Sequence, residues 1–117
     1  MDEKLVRSVN ELKAAFAHRS KAETDYLTYA GIAKCFEVCL VYSWKFLKRR
    51  IEAEGLEAFS PKDVVKVAGQ AGIIGDVELW LKAISIRNIA VHDYLGISQN
   101  EYLSLIDSFI PLAEKLI

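Results

Sequence analysis

The sequence predicts an all-α protein, an antiparallel up-and-down helical bundle of four main helices plus one short helix. Two observations carry this expectation. Apolar residues return every three or four positions along most of the chain, and the apolar runs are bracketed by helix start and stop signals. Ser60-Pro61 and Ser98-x-x-Glu101 mark starts, while Gly55 and Gly96 mark ends. The 117 residues fit one domain spanning 1–117. A chain of this size buries about two-thirds of its unfolded surface, enough for a core without metal or disulfide staples.

Leu5, Val9, Leu12 and Phe16 recur at helical spacing among Lys4, Arg7, Ser8 and Glu11, which makes residues 2 to about 20 an amphipathic helix. A polar joint, Ser20 to Thr24, leads into a second helix expected to run to about Glu54. Its apolar residues (Ile32, Phe36, Val38, Cys39, Leu40, Tyr42, Phe46, Leu47, Ile51) cover nearly every face, which suits a bundle centre or a subunit interface. Ser60 as cap and Pro61 at the first helical position start a short helix through the β-branched run Asp63 to Val67. The stretch from Gly69 to Gly75 is expected to be a turn. A fourth helix, capped by Asp76, runs to about Val91 or His92, with Val77, Leu81, Ile84, Asn88 and Val91 as its inner stripe and Trp80 alongside. Ser98 and Glu101 form a capping box for a last helix carrying Tyr102, Leu105, Ile106, Phe109, Ala113 and Leu116, kinked by Pro111.

Composition excludes several classes. Apolar residues at 52% and charged residues at 26% argue against disorder. A net charge of −1 gives the whole chain no pull on nucleic acid or membrane. The densest local basic footprint is Lys45, Lys48, Arg49 and Arg50. The charged start Met1 to Lys4 reads as no signal peptide, and the run from Cys35 to Trp44, interrupted by Glu37, is too short for a membrane span. A cytoplasmic protein with no membrane segment is expected. Cys35 and Cys39, four apart on one helix face, have poor disulfide geometry and read as small buried hydrophobes.

Phosphate-loop, nucleophile and metal signals fail. The glycine-rich stretch lacks the Lys-Ser/Thr ending of a phosphate loop, and no Asp-x-Asp pair can hold the metals of nucleotidyl transfer. The chain is therefore not itself a nucleotidyltransferase. His18 stands alone among charges, and neither metal nor cofactor is expected. The concentrated feature is Arg87-Asn88…His92…Tyr94. Asn88 and His92 stack on one helix face, while Arg87 and His92 diverge by about 140°. The two converge only if the helix ends at His92 and the ring swings back, or across a two-fold interface. Histidine exchanges protons near neutral pH and arginine forks a phosphate, so His92 and Arg87 have the chemistry for metal-free RNA cleavage. The other reading makes Asn88 and His92 a helix C-cap and Arg87 a surface charge. Glu37, a lone carboxylate on the most apolar helix, is either buried against Lys45 or Arg87 or exposed on a strip. Trp44-Lys45 is either a stacking and phosphate-binding pair or part of the core.

These residues give the chain its resemblance to the nucleotidyltransferase substrate-binding protein family, a branch of the HEPN superfamily. The likeness runs from about Ala30 to Tyr94 and rests on Phe36-Glu37, Trp44-Lys45-x-x-Lys48, Gly55, Ser60-Pro61, Gly72-Ile73-Ile74, Trp80 and Arg87-Asn88-x-x-x-His92-x-Tyr94. The resemblance implies a helical-bundle homodimer encoded beside a minimal nucleotidyltransferase, similar to the helical domain of kanamycin-type nucleotidyltransferases. On that view this chain is the substrate-binding subunit, with Asn88, Tyr94, Glu37, Trp44, Lys45 and Lys48 joining Arg87 and His92 around a nucleotide or substrate. The resemblance also implies an alternative. Related HEPN proteins are RNase toxins in which the matching Arg and His are catalytic, and in some the tyrosine matching Tyr94 is adenylylated by the nucleotidyltransferase antitoxin.

Overall fold

Helix starts in this chain are fixed by short polar side chains that accept from free amides of the first turn. In the computed structural model, which describes residues 2–92 and 98–117 and only the backbone of residues 89–92, four such caps form. Asp2 accepts from the Leu5 N–H (3.0 Å), Asp25 from Leu27 (3.1 Å), Ser60 from Asp63 (3.2 Å) and Ser98 from Glu101 (3.1 Å). They open α1 (Glu3–Phe16), α3 (Tyr26–Ala53), α4 (Pro61–Gln70) and α6 (Gln99–Glu114). The remaining helices are α2 (Arg19–Ala22), a single turn, and α5 (Val77–His92). No strand occurs among the described residues.

Glycine supplies two of the stops. Gly55 (φ 79°) and Gly72 (φ 77°) take the left-handed conformation just beyond α3 and α4. At the first, Gly55 N–H donates to Glu52 C=O (3.0 Å) and Leu56 N–H to Ile51 C=O (2.9 Å). Gly72 and Ile73 repeat the pattern on Gly69 and Ala68 (3.1 and 2.9 Å).

Four local expectations are corrected. The first helix stops at Phe16, not near residue 20; the chain bends at Ala17-His18, and the one-turn α2 then sinks Ala22 into the core while Arg19 pairs with Asp107 (3.5 Å). The short helix continues through Gly69-Gln70, and glycine stands at 69 where a side chain would collide with Val77 as α4 meets α5. Asp76 caps α5 through its backbone carbonyl, which accepts from Leu79 and Trp80; at φ 48° its carboxylate makes no bond to the described residues. The box at Ser98 is half made, since Glu101 does not return a bond to the Ser98 amide. Pro111 sits within α6, which continues to Glu114.

Side-chain pairs set the directions. α1 runs antiparallel to α3, with Asp2 bonded to Arg49, and antiparallel to α6, with Lys13 bonded to Glu114 (2.8 Å). α3 and α6 are therefore parallel, and α5 is antiparallel to both. α4 folds back along the end of α3, and α5 then packs on α4 and α6. α3, at 28 residues, is about 42 Å long and spans most of the molecule's 47 Å length. Its buried stripe is Ile32, Phe36, Cys39, Leu40, Ser43, Leu47 and Ile51. Rings run through the core edge to face: Trp80 to Phe109 (5.3 Å), Phe109 to Phe36 (5.2 Å), and Phe36 to Tyr102 (5.6 Å). Such pairs add to area burial. Among the described residues, no helix is long and apolar enough to cross a membrane.

Gly69→Ala is expected to cost about 1–3 kcal/mol by overpacking. Thermal unfolding of the Gly69→Ala/Val77→Ala double variant should show less than the sum of the single losses, because Val77→Ala removes the obstruction.

Candidate nucleic-acid site at the end of α5

α5 is apolar on nearly every side, so its sequence does not say which face turns inward. Packing decides it. Trp80, Ala83 and Ile84 are buried, with Trp80 edge-on to Phe109. Arg87 follows Trp80 by seven residues, two helical turns, and so continues the buried stripe. Asn88 is exposed. The expected inner stripe holds at Val77, Leu81 and Ile84, with Trp80 buried alongside, and fails at Asn88: the arginine, not the asparagine, lies on the inward side, while the Val91 side chain is outside the described residues.

Arg87 is half-buried, and its Nε is closed off from solvent with no hydrogen-bond partner among the described residues. Nη1 reaches Asn88 Oδ1 at 3.5 Å, the long limit of a bond. No described carboxylate pairs with it. A buried donor left unsatisfied costs about 1–3 kcal/mol, so an acceptor reaching this Nε would be favoured. Register places it within the molecule. With Trp80 beside Phe109 on antiparallel helices, Arg87 and Tyr102 each lie seven residues further and share a level about 10.5 Å along the bundle. Tyr29 meets Tyr102 edge-on (6.3 Å), and Tyr26 lies against Tyr29 (6.1 Å).

His92 is the last residue of α5, which stays helical to that point, so its backbone position is about 140° round from Arg87 and about 40° from Asn88. Tyr94 lies outside the described residues. The α3 candidates stand apart from Arg87. Trp44 is half-buried and Lys45 exposed, eight and nine residues beyond Phe36, and the Lys48 ammonium sits 5.8 Å over the exposed Phe59 ring. Glu37 is half-buried and pairs with no described cation, so of its two readings the one that set it against Lys45 or Arg87 is not formed among the described residues. Lys45, eight residues on, is about 12 Å away along the helix, too far for a direct bond.

Asp25, the cap of α3, was missed by sequence reading, although the Asp25-x-x-Thr28 spacing carries it. The Thr28 hydroxyl donates to its carboxylate (2.8 Å) and, with the Leu27 amide, holds that group below the ordinary carboxylate range. A depressed folded-state value stabilises the fold above the unfolded pKa of 3.8 and loses that contribution as pH falls. The melting-temperature gap between wild type and Asp25→Ala should therefore narrow as the pH drops through this range. Burial pushes both thiols up, at Cys39 and at half-buried Cys35. Among the described residues, no three His, Cys, Asp or Glu side chains gather as metal ligands.

Two comparisons bear on this geometry. The family described as nucleotidyltransferase substrate binding protein like matches residues 3–117. Over 86 residues the chain is 29% identical to a Haemophilus influenzae protein named probable ribonuclease HepT. That match covers 69% of this chain and 59% of the relative, so the chain spans less than two-thirds of the relative's length.

Proposed function

Because this chain belongs to the nucleotidyltransferase substrate-binding-like family, we propose that it is one HEPN-like domain over residues 1–117, acting in the cytoplasm as a homodimer beside a minimal nucleotidyltransferase. Its own chemistry is metal-independent cleavage of RNA by Arg87 and His92. Arg87 carries this reading, as an arginine on a core stripe whose buried Nε lacks an acceptor among the described residues. A phosphodiester supplies the matching acceptor, and an arginine fork is the group suited to it. The name of the Haemophilus relative points the same way.

In this reading His92 takes the proton of a ribose 2′-hydroxyl, whose oxygen attacks the adjacent phosphorus. Arg87 stabilises the charge gathering on the phosphate. The 5′-oxygen leaves and takes a proton from water, giving a 2′,3′-cyclic phosphate and a 5′-hydroxyl. The 140° divergence of Arg87 and His92 favours a site that pairs the Arg87 of one copy with the His92 of the other. Adenylylation of Tyr94, two residues past the base, would place an anion at the site and silence it. The family description favours a second reading, a substrate-binding subunit that presents a nucleotide to its partner through the same end of α5.

Purified homodimer, separated from its partner and unmodified at Tyr94, is expected to cut RNA in the presence of a chelator and leave 2′,3′-cyclic ends. His92→Ala should slow this about 10²–10⁴-fold, the usual worth of general acid–base catalysis. Wild-type protein that leaves RNA intact throughout the histidine titration range would sink the cleavage reading. Loss of nucleotide binding in the same variants would then support the substrate-binding one.

A further inference from the structure

The line of core rings continues out of the core. From Tyr102 it passes through Tyr29 to Tyr26, a residue 65% exposed, and Leu27 beside it is 81% exposed. Tyr26 opens α3 ten residues before Phe36 and one turn beyond Tyr29, which itself touches Tyr102 at the level of Arg87. Since α3 and α5 are antiparallel, Tyr26 stands at the level of the last turn of α5, the turn that ends at His92, with α6 packed against both helices. The bare ring and the guanidinium whose Nε has no acceptor among the described residues therefore occupy the same end of the bundle, about 9 Å apart along its axis. On α3, Tyr26 also shares a side with Trp44, eighteen residues and five full turns away.

We infer that Tyr26 is a stacking platform for an unpaired base of the RNA strand whose phosphodiester Arg87 holds. The inference rests on the proposed RNA cleavage and specifies its substrate as single-stranded. A base in a duplex has both faces covered, whereas an unstacked base offers a face to an exposed aromatic ring without regard to sequence. The Tyr26 ring is backed by Tyr29, so little order is lost when a base settles on it. The nearby acid is compensated. Asp25 is bonded to the Leu27 amide and the Thr28 hydroxyl, with the Lys21 ammonium 3.9 Å away. Leu27 adds apolar surface for the edge of the base or sugar.

The test uses the homodimer and a short 2′-O-methyl RNA, which binds but lacks the attacking hydroxyl, followed by fluorescence anisotropy as a single strand and as a duplex. Tyr26→Ala should weaken single-strand binding about tenfold or more, in line with base–aromatic stacking, and leave duplex binding unchanged. Tyr26→Phe should bind within about twofold of wild type, because the ring and not the phenol does the stacking. In cleavage of unmodified RNA, Tyr26→Ala should raise KM more than it lowers kcat. Equal single-strand binding by wild type and Tyr26→Ala would overturn the platform. So would a Tyr26→Ala protein that has become monomeric, since the ring would then lie between copies, or a wild type that binds no single strand. A wild type that binds single strands through Tyr26 yet never cuts them would sink the cleavage reading and leave the platform standing.

Discussion

Arg87→Met is expected to abolish RNA cleavage and raise the melting temperature together. Methionine keeps an unbranched apolar stem on the buried stripe beyond Trp80 and Ile84 and removes a buried donor that has no acceptor among the described residues. Relief of that unsatisfied group is worth about 1–2 kcal/mol, which for a domain of this size is a rise of several degrees. Loss of the phosphate clamp should cost about 10²–10³ in rate, the scale seen when one preorganised transition-state donor is removed. Arg87→Lys keeps the charge and loses the fork, so it should fall between the two in activity. Turnover measured beside thermal unfolding decides the matter. An Arg87→Met protein that is less stable than wild type, or still cuts RNA, contradicts the assignment.

Phe36→Ala should be the most damaging single change to the fold. Phe36 is fully buried and meets both Phe109 and Tyr102 edge-on, so it joins α3 to both turns of α6 that carry those rings. Truncating a buried phenylalanine costs about 3–5 kcal/mol, much of the 5–15 kcal/mol typical of a whole domain. Denaturant unfolding should show a large drop in midpoint, and Phe36→Leu a smaller one. If Phe36→Ala lost under about 1 kcal/mol, the ring line would not be the centre of the core.

Local features were the most legible in the sequence. Ser60-Pro61, Ser98 and Gly55 act through bonds to residues within a turn or so, so their signals survive without knowledge of the packing. The break at Ala17-His18 left no mark, because neither residue bars a helix; the bend is imposed by Ala22 finding the core and Arg19 reaching α6. The phase of α5 could not be read from a helix apolar on every side, and one residue of error put Asn88 inside and Arg87 outside. Trp80, seven residues before Arg87, was the signal that would have set it, because residues two full turns apart share a side of the helix and a large ring favours the core. Glu37 stayed open for the same reason as α5: α3 carries apolar residues around most of its circumference. Tyr26 passed unnoticed because an exposed ring at a helix start breaks no pattern.

The place of α6 in the bundle has a consequence for the order in which the protein is made. α6 lies against α1, α3 and α5 and supplies Tyr102 and Phe109, the rings that Phe36 and Trp80 rest on. It is also the last of these helices to be synthesised. Until it emerges, the nascent chain holds Phe36 and Trp80 without their partners, and its apolar faces are open to chaperones or to premature association. The level of Tyr102 that aligns Arg87 does not exist before then.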